Sequence, residues 1–342
     1  MKAVGYKSPG PIDRDDSLVD IDLPMPEATG RDILVTVKAV SVNPVDTKIR
    51  ASTAPAEGEE WKVIGWDASG IVSAVGSDVE RFKPGDEVFY AGSIVRSGAN
   101  AEFHLVDERI VGRKPTGLDW AEAAAMPLTT LTAWEMLFDR LDVRRPVPGA
   151  AHAILIIGGA GGVGSIATQL ARTQTDLTVI ATASRQETVD WVRDMGAHHI
   201  INHSKPIAAQ VAALGIGAPA YVFSTTQTNA HAAEIAELIA PQGRLGLIDD
   251  IENANRFKAK SVSIHWELMY TRSMFATADI DAQGKLLDQA ASLLEDGKLK
   301  TTLTERLSPI DAATLKKAHE MSESGKMIGK VVVEGFGTER RT

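Results

Sequence analysis

A glycine-rich segment is the clearest chemical signal in this sequence of 342 residues. The stretch ILIIGGAGGVGSIATQLA, residues 154–171, places five glycines within positions 158–164, between an apolar run and an amphipathic helical pattern. Gly159, Gly161 and Gly164 satisfy the pattern G-x-G-x-x-G in the strand–turn–helix context that gives it meaning. These glycines permit a tight turn and close approach of a pyrophosphate, which the amide hydrogens at a helix N-terminus can bind. The segment predicts a nucleotide-binding site, and a glycine-rich turn without a ligand is the simpler alternative.

The strand that follows indicates which nucleotide binds. It ends in IATASRQE, with Ser184 and Arg185 near the position where NAD-binding proteins carry a carboxylate for the ribose hydroxyls. A carboxylate there would repel a 2′-phosphate, whereas serine and arginine can bind one. This pattern favours NADPH over NADH. An alternative role, compatible with the first, is that Ser184 caps the next helix and Glu187 closes a capping box.

The sequence on either side of residue 128 shows two different patterns of apolar residues. Residues 1–127 contain short apolar runs separated by Gly, Pro and Asp turns, which predict a barrel-like β domain with few helices. From residue 128, apolar runs alternate with helical patterns, which predicts a parallel sheet covered by helices on both faces. The predicted fold class is therefore α/β, with a β-barrel domain and a doubly wound parallel sheet domain. The apolar runs are at 153–157, 177–182, 199–202, 220–224, 243–248 and 261–265; helical patterns at 281–297 and 311–324 and a last strand at 328–335 follow.

Composition and charge narrow the class of protein. The chain is 44% hydrophobic and 24% charged, carries a net charge of −9 and contains no cysteine. An acidic chain without a basic stretch is expected to bind neither nucleic acid nor an anionic membrane. No apolar run reaches the length of a membrane span and the N-terminus is polar, so we expect a cytoplasmic protein. The lack of cysteine excludes disulfides, thiolate zinc sites and cysteine nucleophiles.

Several longer stretches match one known superfamily. They are AVSVNPVDTKIR (39–50), GWDASGIVSAVGSDVERFKPGDEV (65–88), AAAMPLTTLTAWEML (123–137), HWELMYTRSMF (265–275) and the segment from ERLSPID to VVVEGF (305–336). With the glycine segment, they resemble the medium-chain dehydrogenase/reductase superfamily, in particular its quinone oxidoreductase branch and the subgroup labelled zinc-type alcohol dehydrogenase-like proteins. The resemblance implies a GroES-like catalytic domain of residues 1–127 and 276–342 and a Rossmann NADPH-binding domain of residues 128–275. It also implies a homodimer joined through edge strands of the Rossmann sheet.

The resemblance extends the predicted NADPH site beyond the glycine segment. Thr130 falls where the superfamily's chain crosses beneath the nicotinamide, and Asn43 could position the nicotinamide ribose. Lys330, in GKMIGK, is either a phosphate contact or a surface lysine. The residues that we expect to bind NADPH are Asn43, Thr130, Gly159, Gly161, Gly162, Val163, Gly164, Ser184, Arg185, His203, Ser224, Ile248 and Lys330.

The positions that hold catalytic zinc in related enzymes carry other residue types here. Asn43 occupies the first cysteine position, Trp66 occupies the histidine position, and the third ligand position falls near Leu128 or Thr129. The four-cysteine lobe of a structural zinc has no counterpart in the sequence. A zinc ion without thiolate or imidazole at these places is not expected. We therefore predict no metal site and no bound zinc, against the subgroup's label.

The replaced ligands change which reaction is feasible. Zinc makes alkoxide chemistry possible because it lowers the pKa of a bound oxygen from about 15.7 to about 7. Reduction of a quinone or an α,β-unsaturated carbonyl instead produces a delocalised oxyanion, with a pKa of about 10 in the phenolate case. The difference is worth roughly 8 kcal/mol, and an oxyanion hydrogen bond contributes roughly 2.7–4 kcal/mol. We predict a zinc-independent, NADPH-dependent reductase of a quinone, enone or enal. The alternatives are a zinc-dependent alcohol dehydrogenase and a non-catalytic NADPH-binding or sensing protein.

Four residues are candidates for the catalytic groups. Asn43 could offer an amide hydrogen to the substrate oxygen, or cap the turn before Pro44. Asp46, with Lys48 in the same turn, could form a proton relay or a solvated pair. Trp66 and Tyr270, together with Trp266, could form an aromatic wall for a flat substrate, although packing in a core is an equally good explanation.

Overall fold

The chain forms two compact units, which we describe one at a time. The structure is a computed structural model and describes residues 1–337, so the end of the predicted 276–342 segment lies outside it. Unit 1 contains Met1–Leu128, Tyr270–Gly297 and the chain from Thr301 onward. Unit 2 contains Thr129–Met269 and Lys298–Lys300. Tyr270, which we predicted in the nucleotide-binding domain, thus belongs to unit 1.

The β-strands of residues 1–337 are numbered in chain order. They are β1 (Lys2–Tyr6), β2 (Val19–Asp22), β3 (Asp32–Ser41), β4 (Lys62–Val63), β5 (Asp67–Val75), β6 (Glu87–Tyr90), β7 (Phe103–Asp107), β8 (Val111–Arg113), β9 (Ala151–Ile157), β10 (Thr178–Thr182), β11 (His199–Ile201), β12 (Pro219–Ser224), β13 (Arg244–Leu247), β14 (Ser263–Trp266), β15 (Leu303–Leu307) and β16 (Lys330–Glu334).

The α-helices are numbered in the same way. They are α1 (Pro44–Ser52), α2 (Trp120–Ala124), α3 (Pro127–Trp134), α4 (Gly162–Gln174), α5 (Gln186–Asp194), α6 (Ile207–Ala213), α7 (Thr228–Leu238), α8 (Thr271–Met274), α9 (Ala282–Glu295) and α10 (Ala312–Glu323). A π-helical segment, Glu135–Arg140, follows α3. None of the helices within residues 1–337 combines the length and apolar character that crossing a lipid bilayer would need.

Strand β3 is the centre of the larger sheet of unit 1. The strand order is β15-β16-β3-β5-β6-β8, and β7 pairs with the first half of β3. β3 reads DILVTVKAVS, and its β-branched residues suit a strand that is paired on both edges. Strands β2, β1 and β4 form a separate three-stranded sheet.

The register of this sheet brings three strand ends together. In the antiparallel pair of β5 with β3, Asp67 lies opposite Ser41. In the pair of β16 with β3, Val332 lies opposite Ser41, and the Val42 N–H donates to Val331 O at 3.2 Å. Continuing this register places Lys330, the first residue of β16, beside Asn43, the second residue after β3. Side chains distant in sequence therefore meet at one end of β3.

Unit 2 is built on a six-stranded parallel sheet. Its strand order is β11-β10-β9-β12-β13-β14, so the chain moves outward from β9 in one direction and then returns to continue on the other side. Apolar side chains such as Leu155, Ile180, Val222 and Leu245 form its buried core. The predicted α/β fold class, with a β-rich domain and a doubly wound parallel sheet, is confirmed.

Candidate active site

The glycine segment of unit 2 forms a tight turn between β9 and α4. A Cβ added to Gly164 would lie 2.2 Å from Gly158 O, so only glycine allows the helix to begin this close to the strand. A Cβ added to Gly161, the residue before α4, would meet only Gly158 O, at 3.5 Å. Gly162 and Val163 lie in the first turn of the helix, where N–H groups have no intrahelical acceptor. This geometry fits a pyrophosphate at the helix N-terminus.

The turn after β10 carries the residues predicted to select NADPH. Arg185 is the residue before α5, and its N–H donates to Thr188 Oγ1 at 3.1 Å. The alternative in which Ser184 caps this helix and Glu187 closes the capping box is therefore wrong, because the helix begins one residue later. Glu187 instead pairs with Arg185, with 3.2 Å between Nε and Oε1.

His203 lies next to this turn. Thr182 of β10 is level with Ile201 of β11, so the chain leaves the two strands side by side, toward Ser184 and His203 respectively. The pKa of His203 is lowered by burial and by the neighbouring charges of His231 and Arg185. The Arg185 charge, with a ring N–H of His203 as a further donor, makes the end of β10 and β11 suitable for an anion such as a 2′-phosphate.

The remaining predicted cofactor residues of unit 2 fall in two places. Ser224 ends β12, level with Ile157 of β9, and its Oγ lies 2.9 Å from Thr228 Oγ1. Ile248 follows β13, and its N–H donates to Ser224 O at 3.4 Å. Both residues therefore share the carboxyl edge of the sheet with the glycine segment, which is where ligands bind in doubly wound folds. Thr130 is buried in α3, and its Oγ1 has no hydrogen-bond partner within residues 1–337.

Four polar residues lie together in unit 1, three of which were predicted as site residues. Asn43, Asp46, Asp67 and Lys330 are each buried, with at most 4% of the residue exposed, and we call them the polar cluster. Asn43 directly precedes α1, and its N–H donates to Asp46 Oδ2 at 2.6 Å. The carboxylate of Asp46 thus accepts the backbone N–H of Asn43 at the start of α1. The side chain of Asn43 makes its hydrogen bonds with other residues. The solvated Asp46–Lys48 pair that we considered is wrong, because Asp46 is buried and Lys48 is exposed.

The ammonium group of Lys330 is the centre of the polar cluster. Its Nζ donates to Val42 O at 3.0 Å and to Asn43 Oδ1, and it lies 3.3 Å from Asp67 Oδ2. The surface-lysine alternative is therefore wrong. Three acceptors match the three hydrogens of an ammonium group. Contact with a phosphate stays a prediction, and it would require Nζ to leave one of these acceptors.

The amide of Asn43 is also fully used. Its Nδ2 donates to Ser41 O at 3.3 Å and to Asp67 Oδ2 at 3.1 Å, while Oδ1 accepts from Lys330. The other oxygen of Asp67 accepts the Leu128 N–H at 3.0 Å. Donation from Asn43 to a substrate stays a prediction, and it would require one of these hydrogen bonds to break.

Burial dominates the electrostatics of the cluster. It raises the pKa of Asp46 to about 7, although the Asn43 N–H and the Lys330 charge oppose the shift. Burial likewise raises the pKa of Asp67 and lowers that of Lys330, and their mutual attraction opposes both shifts. Asp46 therefore changes protonation near neutral pH.

Trp66 and Tyr270 form the aromatic part of the site. Their rings meet edge to face, with centroids 6.2 Å apart, and Trp66 Nε1 donates to Arg96 O at 3.2 Å. Within the described chain, Tyr270 Oη and Asp46 Oδ1 are buried without a hydrogen-bond partner. Burial, with the charges of Asp46 and Asp67, holds the pKa of Tyr270 well above its usual value. Its hydroxyl is therefore a proton-bearing donor at neutral pH. Trp266, the third predicted aromatic, lies in unit 2 and is 54% exposed.

These residues do not fit a zinc site. Asn43, at the first ligand position, already accepts a hydrogen bond from an ammonium cation, and Trp66 offers no lone pair for a metal. Residues 1–337 contain no group of three or more His, Cys, Asp or Glu side chains arranged to hold an ion. Glu267, a buried carboxylate of unit 2, forms an ion pair with Arg140, with 2.9 Å between Oε2 and Nε.

Sequence reasoning missed the contribution of Asp67 and the true place of Lys330. Asp67 stands next to Trp66 in GWD, so its position beside a metal-ligand position was a usable signal. Lys330 and Asn43 are 287 residues apart, and no local pattern links them. Only the pairing of β16 with β3 reveals the contact.

Comparisons with known proteins identify the family. The alcohol dehydrogenase GroES-like domain family matches residues 29–134, and the zinc-binding dehydrogenase family matches residues 195–333. A zinc-type alcohol dehydrogenase-like protein of Staphylococcus epidermidis is 37% identical over 97% of this chain and 99% of its own length. A crystal structure from Rhizobium etli CFN 42, of a protein named as a zinc-dependent alcohol dehydrogenase, is 69% identical with a TM-score of 0.96, covering 99% of each chain. The chain belongs to the medium-chain dehydrogenase/reductase superfamily, as predicted, and is an oxidoreductase of that superfamily.

More distant relatives carry more specific names. A quinone oxidoreductase structure from Coxiella burnetii is 26% identical, with a TM-score of 0.80 over 98% of this chain and 99% of that one. A mycobacterial protein solved with NADPH is 25% identical, with a TM-score of 0.81 over 98% of this chain and 100% of that one. The 2-methylene-furan-3-one reductase of Solanum lycopersicum is 27% identical over 97% of this chain and 79% of its own length.

Proposed function

We propose that this oxidoreductase is a zinc-independent reductase that uses NADPH to reduce quinones or α,β-unsaturated carbonyl compounds. The observation that carries the proposal is the position of the Lys330 ammonium group against Asn43 Oδ1. A fixed cation at that place repels a second cation and takes the lone pair that a metal would need.

NADPH is supported by the carboxyl edge of the unit 2 sheet. The first turn of α4 suits the pyrophosphate, and Ser184, Arg185 and His203 suit the 2′-phosphate. The nearest carboxylate, Glu187, pairs with Arg185 and so leaves no unbalanced negative charge at this turn. The mycobacterial relative solved with NADPH agrees with this cofactor.

The groups of unit 1 determine which substrate can be reduced. NADPH supplies a hydride when bound, and the acceptor must also gain a proton. Tyr270 Oη is buried, keeps its proton and has no hydrogen-bond partner within residues 1–337, so it can donate to a developing oxyanion. Asp46 has a pKa of about 7, which suits a proton donor at neutral pH, and its Oδ1 accepts no hydrogen bond of normal geometry in the described part of the chain.

Hydrogen bonds of this kind suffice only for a delocalised product. One oxyanion donor contributes about 2.7–4 kcal/mol, whereas a localised alkoxide lies roughly 8 kcal/mol above a phenolate-like anion. The Lys330 ammonium group cannot replace a Lewis acid at the substrate, because its three hydrogens already have acceptors in unit 1. The relatives named as a quinone oxidoreductase and as a 2-methylene-furan-3-one reductase agree with conjugated acceptors.

The test is NADPH oxidation by protein purified without chelators and analysed for metal content. We expect turnover with quinones, enones or enals that is unchanged by EDTA, and little turnover with simple alcohols and NADP⁺. Activity that disappears with EDTA and returns with zinc would instead establish the zinc-dependent alcohol dehydrogenase that the names of the nearer relatives suggest. NADPH binding without oxidation by any acceptor would favour a binding or sensing protein.

We also propose a homodimer. β14 is the edge strand of the unit 2 sheet, and Trp266 at its end is 54% exposed. An exposed strand edge beside a large apolar side chain suits pairing with a second copy. Sedimentation of the purified protein should therefore give the mass of two chains.

A further inference from the structure

The polar cluster contains one cationic side chain, Lys330. The proposed NADPH site and the proposed proton donors, Tyr270 and Asp46, do not explain the role of this cation. Resting on the proposed function, we propose that Lys330 is a positioning residue of the reductase. Its ammonium group is the resident cation of the cluster: it fixes the Asn43 amide and the Asp67 carboxylate where zinc-dependent relatives hold a metal.

The ammonium group is held from three sides within unit 1. Val42 O, Asn43 Oδ1 and Asp67 Oδ2 surround Nζ, and only 4% of the residue is exposed. The pairing of β16 with β3 delivers this side chain, because Lys330 is the first residue of β16 and Val331 O accepts the Val42 N–H. The pairing of the two strands therefore brings the Lys330 side chain to this place, where it is buried and cannot move freely as a surface lysine does.

Two side chains depend on this cation. Asn43 turns Oδ1 toward the ammonium group, which leaves Nδ2 to donate to Ser41 O and Asp67 Oδ2. Asp67 keeps a negative charge in a buried place, and its second oxygen accepts the Leu128 N–H at 3.0 Å. The cation therefore orders the end of β3, the start of β5 and the start of α3 together.

The consequence concerns the groups left for chemistry. The polar groups of Asn43, Asp67 and Lys330 all have hydrogen-bond partners in unit 1. Among the described residues, Tyr270 Oη and Asp46 Oδ1 are buried oxygens of the site without a partner. The Asn43 N–H holds the other oxygen of Asp46 at 2.6 Å. If Lys330 is lost, the Asn43 side chain is free to rotate. The backbone at Val42, next to the Asn43 N–H that holds Asp46, also loses its contact with the ammonium group. The expected defect is in turnover, with cofactor binding largely preserved.

The first experiment compares Lys330→Met and Lys330→Arg, with Lys317→Met, an exposed lysine of α10, as the matched control. Two quantities are measured: kcat with a quinone or enone, and the dissociation constant of NADPH from nucleotide fluorescence without an acceptor. We expect Lys330→Met to lower kcat by about a hundredfold, as misplacement of supporting groups does. We expect its NADPH dissociation constant to change by less than about threefold, and Lys330→Arg to recover about tenfold in kcat.

Two results would overturn the proposal. An NADPH dissociation constant that rises more than about tenfold in Lys330→Met, with kcat retained, would make Lys330 a phosphate contact. A kcat within about threefold of the parent would make the ion pair purely structural. Since Lys330→Met leaves Asp67 as a buried unpaired charge and could fail to fold, the double variant Lys330→Met/Asp67→Asn is made as well. It should melt higher than the single variant and stay slow, and full recovery of its kcat would also contradict the proposal.

A second readout does not need activity and separates this inference from the proposed function. In Lys330→Ala, propylammonium should raise the melting temperature of the cofactor-free protein in a saturable way, whereas 1-propanol should not. Equal effects of both compounds would show that the site needs volume and not charge, and would refute a resident cation. If the parent protein reduces no acceptor while propylammonium still stabilises Lys330→Ala selectively, the proposed function fails and the cation assignment stands.

Discussion

Replacing Arg185 with glutamate tests the assignment of the 2′-phosphate most directly. The Arg185 side chain is 37% exposed and follows β10, in the turn beside His203. Its Nε lies 3.2 Å from Glu187 Oε1, so the guanidinium group is ordered but is only partly removed from water. The charges at this turn therefore interact through a dielectric constant far above that of a buried site.

Two effects set the size of the change in NADPH affinity. Loss of the guanidinium group removes a charge-assisted hydrogen bond to phosphate, worth about 1.5–3 kcal/mol. The new carboxylate adds repulsion from the phosphate of about 1–2 kcal/mol, because solvent screens charges at a partly exposed site. Together they amount to about 2.5–5 kcal/mol, or roughly a hundredfold to a few thousandfold in the dissociation constant. NADH has no 2′-phosphate, so its dissociation constant should change by less than about threefold.

The assay is equilibrium binding of NADPH and of NADH, measured separately by nucleotide fluorescence. Arg185→Gln should fall between the parent and Arg185→Glu, since it removes attraction without adding repulsion. Glu187→Gln is the matched control, because it removes a competing carboxylate from Arg185 and should tighten NADPH binding by a few-fold, about 0.5–1 kcal/mol. If Arg185→Glu weakens NADPH and NADH equally, the guanidinium group does not meet the 2′-phosphate and the reasoning is wrong.

Two further predictions concern the groups of unit 1. Tyr270→Phe should lower kcat by about 10²–10³, the cost of one oxyanion donor, while the melting temperature stays level or rises, because the lost hydroxyl has no partner in the described chain. A kcat close to that of the parent would remove Tyr270 from the mechanism. Only a protonated Asp46 can donate, and burial raises its pKa to about 7, so kcat should fall as the pH rises through about 7. Asp46→Asn should be slow and should lack this pH dependence, and a profile with the same midpoint in the variant would assign it to another group.

Unit 2 was the more predictable half of the fold. Its strands are continuous apolar runs, because helices cover both faces of a parallel sheet, and such runs stand out in a sequence. The run at 153–157 became β9 (Ala151–Ile157) and the run at 220–224 became β12 (Pro219–Ser224). Helices α5 and α7 each lie between strands of this sheet along the chain, as the predicted alternation of apolar runs with helical patterns requires.

Unit 1 was less predictable because its elements are short and its pairings are long-range. In the stretch KPGDEVFYAG (83–92), for example, only Glu87–Tyr90 is a strand, because the residues before it form a turn. The helices α1 and α2 were missed in a region expected to contain few helices. The sequence PVDTKIRAS of α1 has three buried positions, all polar or charged, so it lacks the apolar stripe that predicts a helix.

The sequence indicated several residues of the candidate site, but not which residues they contact. Asn43 and Trp66 were singled out as departures from the zinc-binding pattern, because a replaced ligand is visible in the sequence itself. Their surroundings depend on contacts between strands that are distant along the chain, such as Asp67 with Ser41 in the β3–β5 register. The amide of Asn43 was expected to serve a ligand, but its hydrogens have acceptors within the fold.

The difference between a buried ammonium group and a metal ion limits what this site can do to an oxygen atom. A metal keeps an open coordination position and withdraws electron density directly, so it can stabilise a localised alkoxide. The Lys330 ammonium group has a fixed charge and three directed hydrogens, and Val42, Asn43 and Asp67 already accept them. Its charge therefore stabilises the protein's own carboxylate and acts on a substrate only through the groups that it positions. In the reaction that we propose, any negative charge formed during hydride transfer is spread by the substrate's own π system, with a neutral hydroxyl such as that of Tyr270 as the direct donor. The lack of a Lewis acid and the preference for conjugated acceptors, both parts of that proposal, then share one cause, which is the buried ion pair of Lys330 with Asp67.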